Sequence, residues 1–268
     1  MNFNIRKYFS PVQPSVKSDD QFVSYCEILP DERLCGYIYC YWFLKTDVQM
    51  ENVYKYNVVA DGCIDIVFDL TNPCQSFVMG FCDRSNQFEI DNSFNAVGIR
   101  FLPAIFPTLF NFDALEFSNN LVPLNLFLKS TSQFIEENFS CATSNKSIKN
   151  ILDNYFLKIL NNNPLKIDPR FLEALHVILS NNGVINMNSD LDIGLSHRQL
   201  RRYFDLYVGS SPKAFSQVVR FQNILNARLS LQNLKDNKLF YDFGYYDQAH
   251  FINDFKRYYG LSPSNSLQ

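Results

Sequence analysis

The sequence has no long apolar run and no segment typical of secretion. Its longest apolar stretch, from Tyr37 to Leu44, is far shorter than the roughly twenty residues that a helix needs to cross a bilayer. The first twenty residues lack the apolar core of a signal peptide. We therefore expect a soluble, cytoplasmic protein with no membrane partner.

Closely spaced metal-ligand pairs are also missing. The three histidines lie in the second half of the chain and the seven cysteines in the first, with no CxxC pair, so a mixed site would have to join the two halves. We predict no metal and no cofactor. The cysteines are expected to be small buried residues in a reducing compartment, and a redox sensor is the alternative. They are Cys26, Cys35, Cys40, Cys63, Cys74, Cys82 and Cys141.

Positive charge is scarce for a chain that binds nucleic acid. The formal net charge is −3, with 24 Lys and Arg against 27 Asp and Glu. A balance of this kind does not by itself indicate a nucleic-acid partner. The positive charges of the second half are clustered, however, and five of them fall on two predicted helices. Their position is more informative than their number.

The last thirty residues predict a turn followed by a well-delimited helix. Asp247 is a good N-cap, the helix runs to about Tyr258, and Gly260 suits the left-handed position after its end. Pro263 cannot prolong it. An apolar stripe at helical spacing must face a core and is formed by Phe251, Phe255 and Tyr258.

The same design occurs 51 residues upstream, as an internal repeat. The upstream copy reads Phe204-x3-Val208-Gly209-x-Ser211-Pro212 and the downstream copy Phe255-x3-Tyr259-Gly260-x-Ser262-Pro263. In the first copy three arginines share one exposed helix face: Arg198, Arg201 and Arg202. The repeat predicts two copies of one helix-turn-helix unit.

These motifs resemble the DNA-binding module of AraC/XylS-type bacterial transcription regulators. The resemblance covers about residues 168–268 and rests chiefly on Gly244-Tyr245-Tyr246-Asp247-Gln248-Ala249-His250-Phe251 and on Gly260-Leu261-Ser262-Pro263. It implies a regulator and not an enzyme, so no catalytic residue is predicted. It also implies double-stranded DNA as the partner, with two recognition helices in adjacent major grooves about one helical turn apart. A continuous helix from about Lys213 to Leu231 would join the two units.

Candidate DNA contacts follow from the resemblance by position. The first unit would use His197, Arg198, Arg201 and Arg202. The second would use Gln248, Ala249, His250, Asn253, Lys256 and Arg257, of which the last two would meet phosphates. The chain departs from the module's usual pattern in the supporting helices. Ser189 and Asp190 replace a Leu-Ala pair, which would bury a charge or push helices apart, and Phe240 replaces an alanine, which invites overpacking.

The first half of the chain predicts a β-rich domain. Tyr37 to Leu44 has the composition of a strand buried on both faces, and further strands are expected at 64–70 and from Ala96. The region from Tyr25 to about Phe139 resembles a domain of unassigned function found ahead of AraC-type modules, with Ala60 where that domain often has proline. A cupin-like sandwich or barrel is expected. Its aromatic residues fill the core or line a ligand pocket, and the candidate ligand contacts are Trp42, Asp61, Asp65 and Arg100.

Two domains of an α+β protein are therefore expected. Residues 1–165 would form the β-rich sensory or dimerisation domain with trailing helices, and residues 166–268 the all-α tandem helix-turn-helix domain with its linker helix. The apolar stripe from Ile148 to Leu160 packs back onto the β-domain or mediates dimerisation. Further expected partners are a small-molecule effector, a second copy of the chain and, for an activator, RNA polymerase.

Two alternatives remain from the sequence. One is an interaction or ligand-binding protein whose degenerate helix-turn-helix domain does not bind DNA specifically. The other is an enzyme or alkyl-damage sensor built on a cysteine of the first domain.

Overall fold

The computed structural model describes residues 4–14, 22–187, 189–227 and 240–266. Strands occupy the first half of the chain and helices dominate the second, which is the α+β organisation predicted from the sequence. None of the helices in the described ranges combines the length and apolarity needed to span a bilayer.

The first half contains two antiparallel sheets. Six strands form the larger sheet in the order β1-β2-β7-β4-β5-β8, and β3 pairs with β6 in the smaller one. The strands are β1 (Val23–Ile28), β2 (Ile38–Thr46), β3 (Tyr54–Val58), β4 (Ile64–Asp69), β5 (Asn72–Met79), β6 (Asn86–Ile90), β7 (Asn95–Phe101) and β8 (Leu121–Pro123). Within the described residues the arrangement is a two-sheet sandwich and not a closed barrel.

Strand β2 is buried on both faces, as its composition predicted. Alternate side chains of a strand point to opposite faces. Trp42 and Leu44 pack against Tyr56 and Val58 of the small sheet. Tyr41 and Phe43 point to the other side and belong to the main core. Strand β2 is therefore covered by the small sheet on one side and by helices on the other.

Three helices follow the strands: α1 (Ile105–Phe110), α2 (Lys129–Asn138) and α3 (Asn145–Asn162). Helix α3 packs back onto the β-region, which was one of its two predicted roles. The ring of Phe156 lies 5.5 Å from that of Phe101, and the Tyr41 hydroxyl donates to Asp153 at 3.0 Å. The apolar stripe of α3 is thus used inside the chain.

The second half is helical and begins where the capping signals place it. Asp168 caps α4 by accepting a hydrogen bond from the Arg170 amide, and Pro169 occupies the first turn. The helices are α4 (Pro169–Ser180), α5 (His197–Val208), α6 (Pro212–Asn226), α7 (Gln248–Tyr259) and α8 (Pro263–Ser266). The predicted continuation of the linker helix to Leu231 lies outside the described residues.

The two halves share one hydrophobic cluster. Phe215 of α6 meets Phe9 and Phe81 of the first half, with ring centroids 6.4 and 6.3 Å apart. The predicted division at residues 165 and 166 falls in the segment between α3 and α4, and it stays a prediction. Whatever its position, the two regions pack closely against each other.

The supporting helix expected in the first unit is replaced by turns in the described part of residues 184–196. Asp190 is exposed and not buried. Its side chain accepts hydrogen bonds from the Asn186 amide at 2.8 Å and from the Ser189 hydroxyl at 2.8 Å. The expectation of a buried charge at this position was wrong.

Phe240 begins the last described segment, and the residues directly before it lie outside the described ranges. It lies in the turn before Gly244, is buried, and stacks on Phe251 at 6.5 Å between ring centroids.

The cysteines only partly match their predicted burial. Cys40, Cys63 and Cys82 are buried, and Cys35 is intermediate. The exposed ones are Cys26, Cys74 and Cys141, for which the prediction was wrong. Cys35 lies in the turn before β2 and not on the strand that carries Cys40.

Candidate nucleic-acid interface

The first predicted recognition helix, α5, has a cap at each end. Ser196 accepts from the Gln199 amide, and the Gln199 side chain accepts in return from the Ser196 amide, which makes a reciprocal capping box. Gly209 ends the helix at a φ of 83°. This left-handed backbone favours glycine, because a side chain would be strained there.

The second recognition helix, α7, repeats the design. The Asp247 carboxylate accepts from the His250 amide at 2.7 Å, and Gly260 closes the helix at a φ of 92°. The two helices have the same length of 12 residues. The internal repeat seen in the sequence is therefore also a repeat of local structure.

Helix α6 holds both recognition helices through two of its phenylalanines. Phe215 meets Phe204 of α5 at 5.9 Å between ring centroids. Phe221 meets Phe255 of α7 at 5.7 Å. All four rings are buried. The apolar stripes of α5 and α7 thus face α6, which leaves their polar faces available to a partner.

The four candidate contacts of the first unit are exposed on α5. Arg201 donates to Asp205 at 2.9 Å, one turn further along the helix, and this pair restricts the arginine side chain. The Arg202 guanidinium lies 5.7 Å from the ring of Tyr203. His197 and Arg198 occupy the first turn of the helix, the part that contacts base edges when such a helix enters a major groove.

The candidate contacts of the second unit line the exposed side of α7. All are exposed except His250, which is half-buried. His250 lies 3.6 Å from the Asp254 carboxylate and its ring packs edge-on against Tyr245 at 5.1 Å. The exposed members are Gln248, Ala249, Asn253, Lys256 and Arg257.

Arg220 of α6 fixes the second unit and was missed by the sequence interpretation. Its guanidinium donates to the Gly244 carbonyl at 3.1 Å and to Asp254 at 2.9 Å. It also lies 4.1 Å from the centre of the Tyr245 ring, a cation–π contact. The available signal was one charged residue in the apolar segment Val218–Ile224. Arg220 therefore joins the linker helix to the turn and to α7.

Arg257 differs from the other candidates because its ion-pair partner lies in the first half of the chain. Its guanidinium donates to the Asp83 carboxylate at 2.6 Å and to the Asp83 carbonyl at 3.0 Å. Asp83 lies in the first half of the chain, 174 residues away. A phosphate contact by Arg257 would compete with this ion pair.

The four predicted ligand contacts come together, but in the interior of the sandwich. Arg100 pairs with Asp65 at 3.0 Å and with Asp61 at 3.3 Å, and the Trp42 indole donates to Asp65 at 2.8 Å. Their exposed fractions are 1%, 1%, 7% and 2% for Arg100, Asp65, Asp61 and Trp42. Most of their polar atoms are satisfied within the network. Their role in ligand binding stays a prediction.

Electrostatics inside this network are dominated by burial. Burial raises the pKa of Asp65 to about 6, although Arg100 opposes the shift. Burial alone would lower the pKa of Arg100, but the two carboxylates raise it well above its ordinary value. One nitrogen of the guanidinium, Nη1, has no hydrogen-bond partner among the described residues. The charges of Arg100, Asp61 and Asp65 thus compensate one another in the buried interior of the sandwich.

The cysteine chemistry of the second alternative finds little support. Burial raises the pKa of the Cys26, Cys40, Cys63 and Cys82 thiols, and the Glu136 carboxylate raises that of Cys74. A reactive thiolate needs the opposite shift. Among the described residues no group of His, Cys, Asp and Glu side chains is arranged to hold a metal ion.

Two family models match the chain. Residues 26–123 match a domain of unknown function (DUF6597), and residues 192–268 match a helix-turn-helix domain. The second match spans both capped recognition helices and the linker helix between them. The C-terminal region is an AraC-type helix-turn-helix domain. Both resemblances inferred from the sequence are thereby confirmed.

The AraC-type domain makes the chain a DNA-binding transcription regulator and not an enzyme. It also explains why the repeat keeps capping residues and apolar residues at matching positions. Those positions hold each recognition helix against α6, whereas the exposed positions between them are free to differ between the two units.

Solved structures of similar shape are those of ToxT from Vibrio cholerae. An apo variant is 11% identical, with 85% of this chain and 98% of that chain covered and a TM-score of 0.45. A further crystal form is 12% identical over 91% and 96%, with a TM-score of 0.39. The wild-type protein bound to an unsaturated fatty acid is 12% identical over 84% and 94%, also at 0.39. No curated protein is detectably similar in sequence. A likeness this low carries no conclusion about function.

Proposed function

We propose that one chain reads two adjacent, unequal major-groove half-sites, with α5 in the first groove and α7 in the second. The observation that carries the proposal is the attachment of both helices to α6 by matched aromatic contacts, with their polar faces exposed. To read one face of the duplex, the two helices must lie in grooves about one helical turn, roughly 34 Å, apart.

The two helices present different chemistry and would therefore prefer different bases. Helix α5 presents Arg198, Arg201 and Arg202, and arginine forms bidentate contacts with guanine. Helix α7 presents Gln248 and Asn253, whose amides suit adenine. Ala249 can contact a thymine methyl group, and Lys256 a phosphate.

Single substitutions should relax one half-site each. We expect Arg201→Ala to lower base discrimination at the first half-site, and Asn253→Ala at the second, by roughly 1–3 kcal/mol. Competition binding against duplexes with one altered base pair measures both. Matched controls are Arg33→Ala and Asn154→Ala, which remove the same side-chain types from exposed positions in the first half of the chain. If Arg201→Ala and its control have the same effect, α5 does not read bases.

The ion pair of Arg257 and Asp83 should limit phosphate binding. In Asp83→Asn the charges of Arg257 and of Arg84, which also pairs with Asp83 at 3.0 Å, are released. We therefore expect tighter binding at low salt and a salt dependence steeper by about 0.9 in log K against log salt for each added phosphate contact. The pair is half-exposed, so stability should change little.

Binding titrations at several salt concentrations measure this slope. Asp31→Asn is the control, because it removes the same charge from another surface ion pair, with Arg33. Equal slopes for the two variants would show that Arg257 does not reach a phosphate.

We further propose that a small molecule or dimerisation through the first half modulates DNA binding, with RNA polymerase as a partner if the chain is an activator. A cleft of about 410 Å³ supports the small-molecule part, because it is lined by Asn111 next to α1, by Asn163 and Lys166 between the halves, and by Tyr207 of α5. Its lining residues include one cation and no carboxylate, which suits a polar anion.

A second candidate function is favoured by the turns at 184–196. Without the usual supporting helix among the described residues, the first unit could bind DNA without base preference. The chain would then be an interaction or ligand-binding protein with a degenerate reader. It predicts weak, salt-sensitive binding without an enriched motif.

A further inference from the structure

The last turn of the second recognition helix is capped by the first half of the chain. A helix leaves its final four carbonyls without partners inside the helix. In α7 the Gly260 amide reaches the Lys256 carbonyl at 3.0 Å. The next two carbonyls, of Arg257 and Tyr258, accept from the backbone amides of Ser85 at 2.9 Å and Ala60 at 3.0 Å. Two of these four carbonyls are thus satisfied by segments more than 170 residues away in the sequence.

Side chains at the C-terminal end of α7 also contact the segment 83–85. Asp83 pairs with Arg257. Gly260 lies so close to Ser85 that a Cβ atom on the glycine would be 2.9 Å from the serine hydroxyl. The end of α7 and the segment 83–85 are therefore in direct contact on both the backbone and the side-chain level.

The turn that carries Ala60 is itself firmly held. The side chain of Gln13 donates to the Val59 carbonyl at 2.9 Å and to Asp61 at 2.8 Å. The buried amide of Gln222, on α6, donates to the Ala60 carbonyl at 2.7 Å. The same turn thus contacts the linker helix and the second recognition helix, and Asp61 connects it to the Arg100 network.

The first recognition helix also ends against the first half of the chain. The Ser118 hydroxyl donates to the carbonyl of Gly209, the residue that closes α5. A Cβ atom on Gly209 would lie 2.6 Å from the Ala114 carbonyl. Both recognition helices therefore meet the β-rich region at their C-terminal ends, opposite to the ends that begin the groove contacts.

We infer that the first half of the chain contributes directly to DNA recognition. The backbone amides of its residues Ser85 and Ala60 fix the position of α7 relative to α5. This inference rests on the proposed function, since it assigns the positioning of the helix that reads the second half-site. Reading two half-sites at once requires a fixed separation between the two helices. Contacts through α6 hold the middle of α7, and the two amides hold its end.

Removing one amide tests the inference without removing a side chain from the DNA face. Ser85→Pro deletes the N–H that bonds to the Arg257 carbonyl, whereas Ser85→Ala keeps it. Ala60→Pro and Ala60→Gly form a second pair of the same design, and proline is the residue that the resembling domain often carries at position 60. The full chain is used throughout, with base discrimination at each half-site and thermal unfolding measured for every variant.

Ser85→Pro is expected to weaken discrimination at the second half-site about five-fold relative to Ser85→Ala, the factor that one net hydrogen bond contributes. The first half-site should change by less than about two-fold. Ala60→Pro should behave likewise against Ala60→Gly. Unchanged discrimination at the second half-site would overturn the inference. So would equal losses at both half-sites together with a lower melting temperature, which would indicate a structural role alone.

Failure of the proposed function gives a different result. Wild-type protein would then show no base preference at either half-site. Hydrogen exchange of the α7 amides decides the inference in that case, because it needs no DNA. Faster exchange in Ser85→Pro than in Ser85→Ala would support the positioning contact, and equal exchange would overturn it.

Discussion

Replacing Arg100 by methionine should lower the free energy of unfolding by about 3–5 kcal/mol at neutral pH. Arg100 is 1% exposed and compensates two buried carboxylates, Asp61 and Asp65. Without the guanidinium these charges remain buried and unpaired, which is the unfavourable case for an ion pair. Since natural domains are stable by only about 5–15 kcal/mol, the loss is a large share of the total.

The loss of unfolding free energy in the Arg100→Met variant should be smaller in mild acid. Burial already raises the pKa of Asp65 to about 6, and loss of the positive charge raises it further. A carboxyl whose folded-state pKa is raised contributes stability below its unfolded pKa and loses it as pH rises through the folded value. The variant should therefore be closest to wild type near pH 5 and furthest from it near pH 7.

Urea unfolding at these two pH values measures the effect. Combining Arg100→Met with Asp65→Asn is the control, because the second substitution removes one of the stranded charges and should restore part of the stability. A loss below about 1 kcal/mol, or full additivity of the two substitutions, would show that the network does not compensate its charges as the structure indicates.

Gly183→Ala should destabilise the C-terminal region by more than about 3 kcal/mol, from backbone strain and a clash together. Gly183 ends α4 at a φ of 74°, and its carbonyl accepts from the Ser216 hydroxyl of α6 at 2.9 Å. An added Cβ would lie 2.1 Å from the Ser216 carbonyl and 2.6 Å from the Arg220 amide. Because these are backbone atoms, α6 itself would have to move.

Gly194→Ala is the matched control for this substitution. Gly194 has nearly the same φ, 71°, but apart from its chain neighbours no described residue has an atom within 4 Å of an added Cβ. It should lose only the strain of the left-handed backbone, about 1 kcal/mol. Urea unfolding of both variants separates strain from close packing. Equal losses of unfolding free energy in the two variants would contradict the close approach of Gly183 to the backbone of α6.

Gly183→Ala should also weaken DNA binding more than Gly194→Ala does. A shift of α6 displaces Arg220, which holds the Gly244 turn and Asp254 of the second unit. Gly183→Ala is thus expected to weaken reading by α7 as well, although the glycine lies in the first unit.

Local signals explain why the recognition helices were predictable. Ser196, Asp247, Gly209 and Gly260 act within one turn of the helix ends that they cap, so their effect can be inferred from neighbouring residues. The same holds for β2, whose aromatic and β-branched composition suits burial on both faces.

Contacts that depend on long-range packing were not predictable. Asp65 is the cross-strand partner of Arg100, but that register between β4 and β7 cannot be deduced from either strand alone. The four polar candidates were therefore assigned to a ligand and not to one another. The capping of α7 by Ser85 and Ala60 likewise depends on the packing of the two halves.

The segment 184–196 shows the limit of arguments from a family pattern. A helix was expected there because the module usually has one. The residues Asn186, Ser189 and Asp190 instead satisfy each other through side-chain and backbone hydrogen bonds. The family pattern therefore did not predict these turns.

The most direct measurement of the central claim is selection of bound duplexes from a random pool by the full chain at two salt concentrations. If α5 and α7 each recognise one half-site, the selected duplexes should share a motif with two unequal half-sites whose centres lie about ten base pairs apart. The motif should still be enriched at the higher salt concentration. Binding without an enriched motif, lost at the higher salt, would contradict it and assign the function of the chain to its first half.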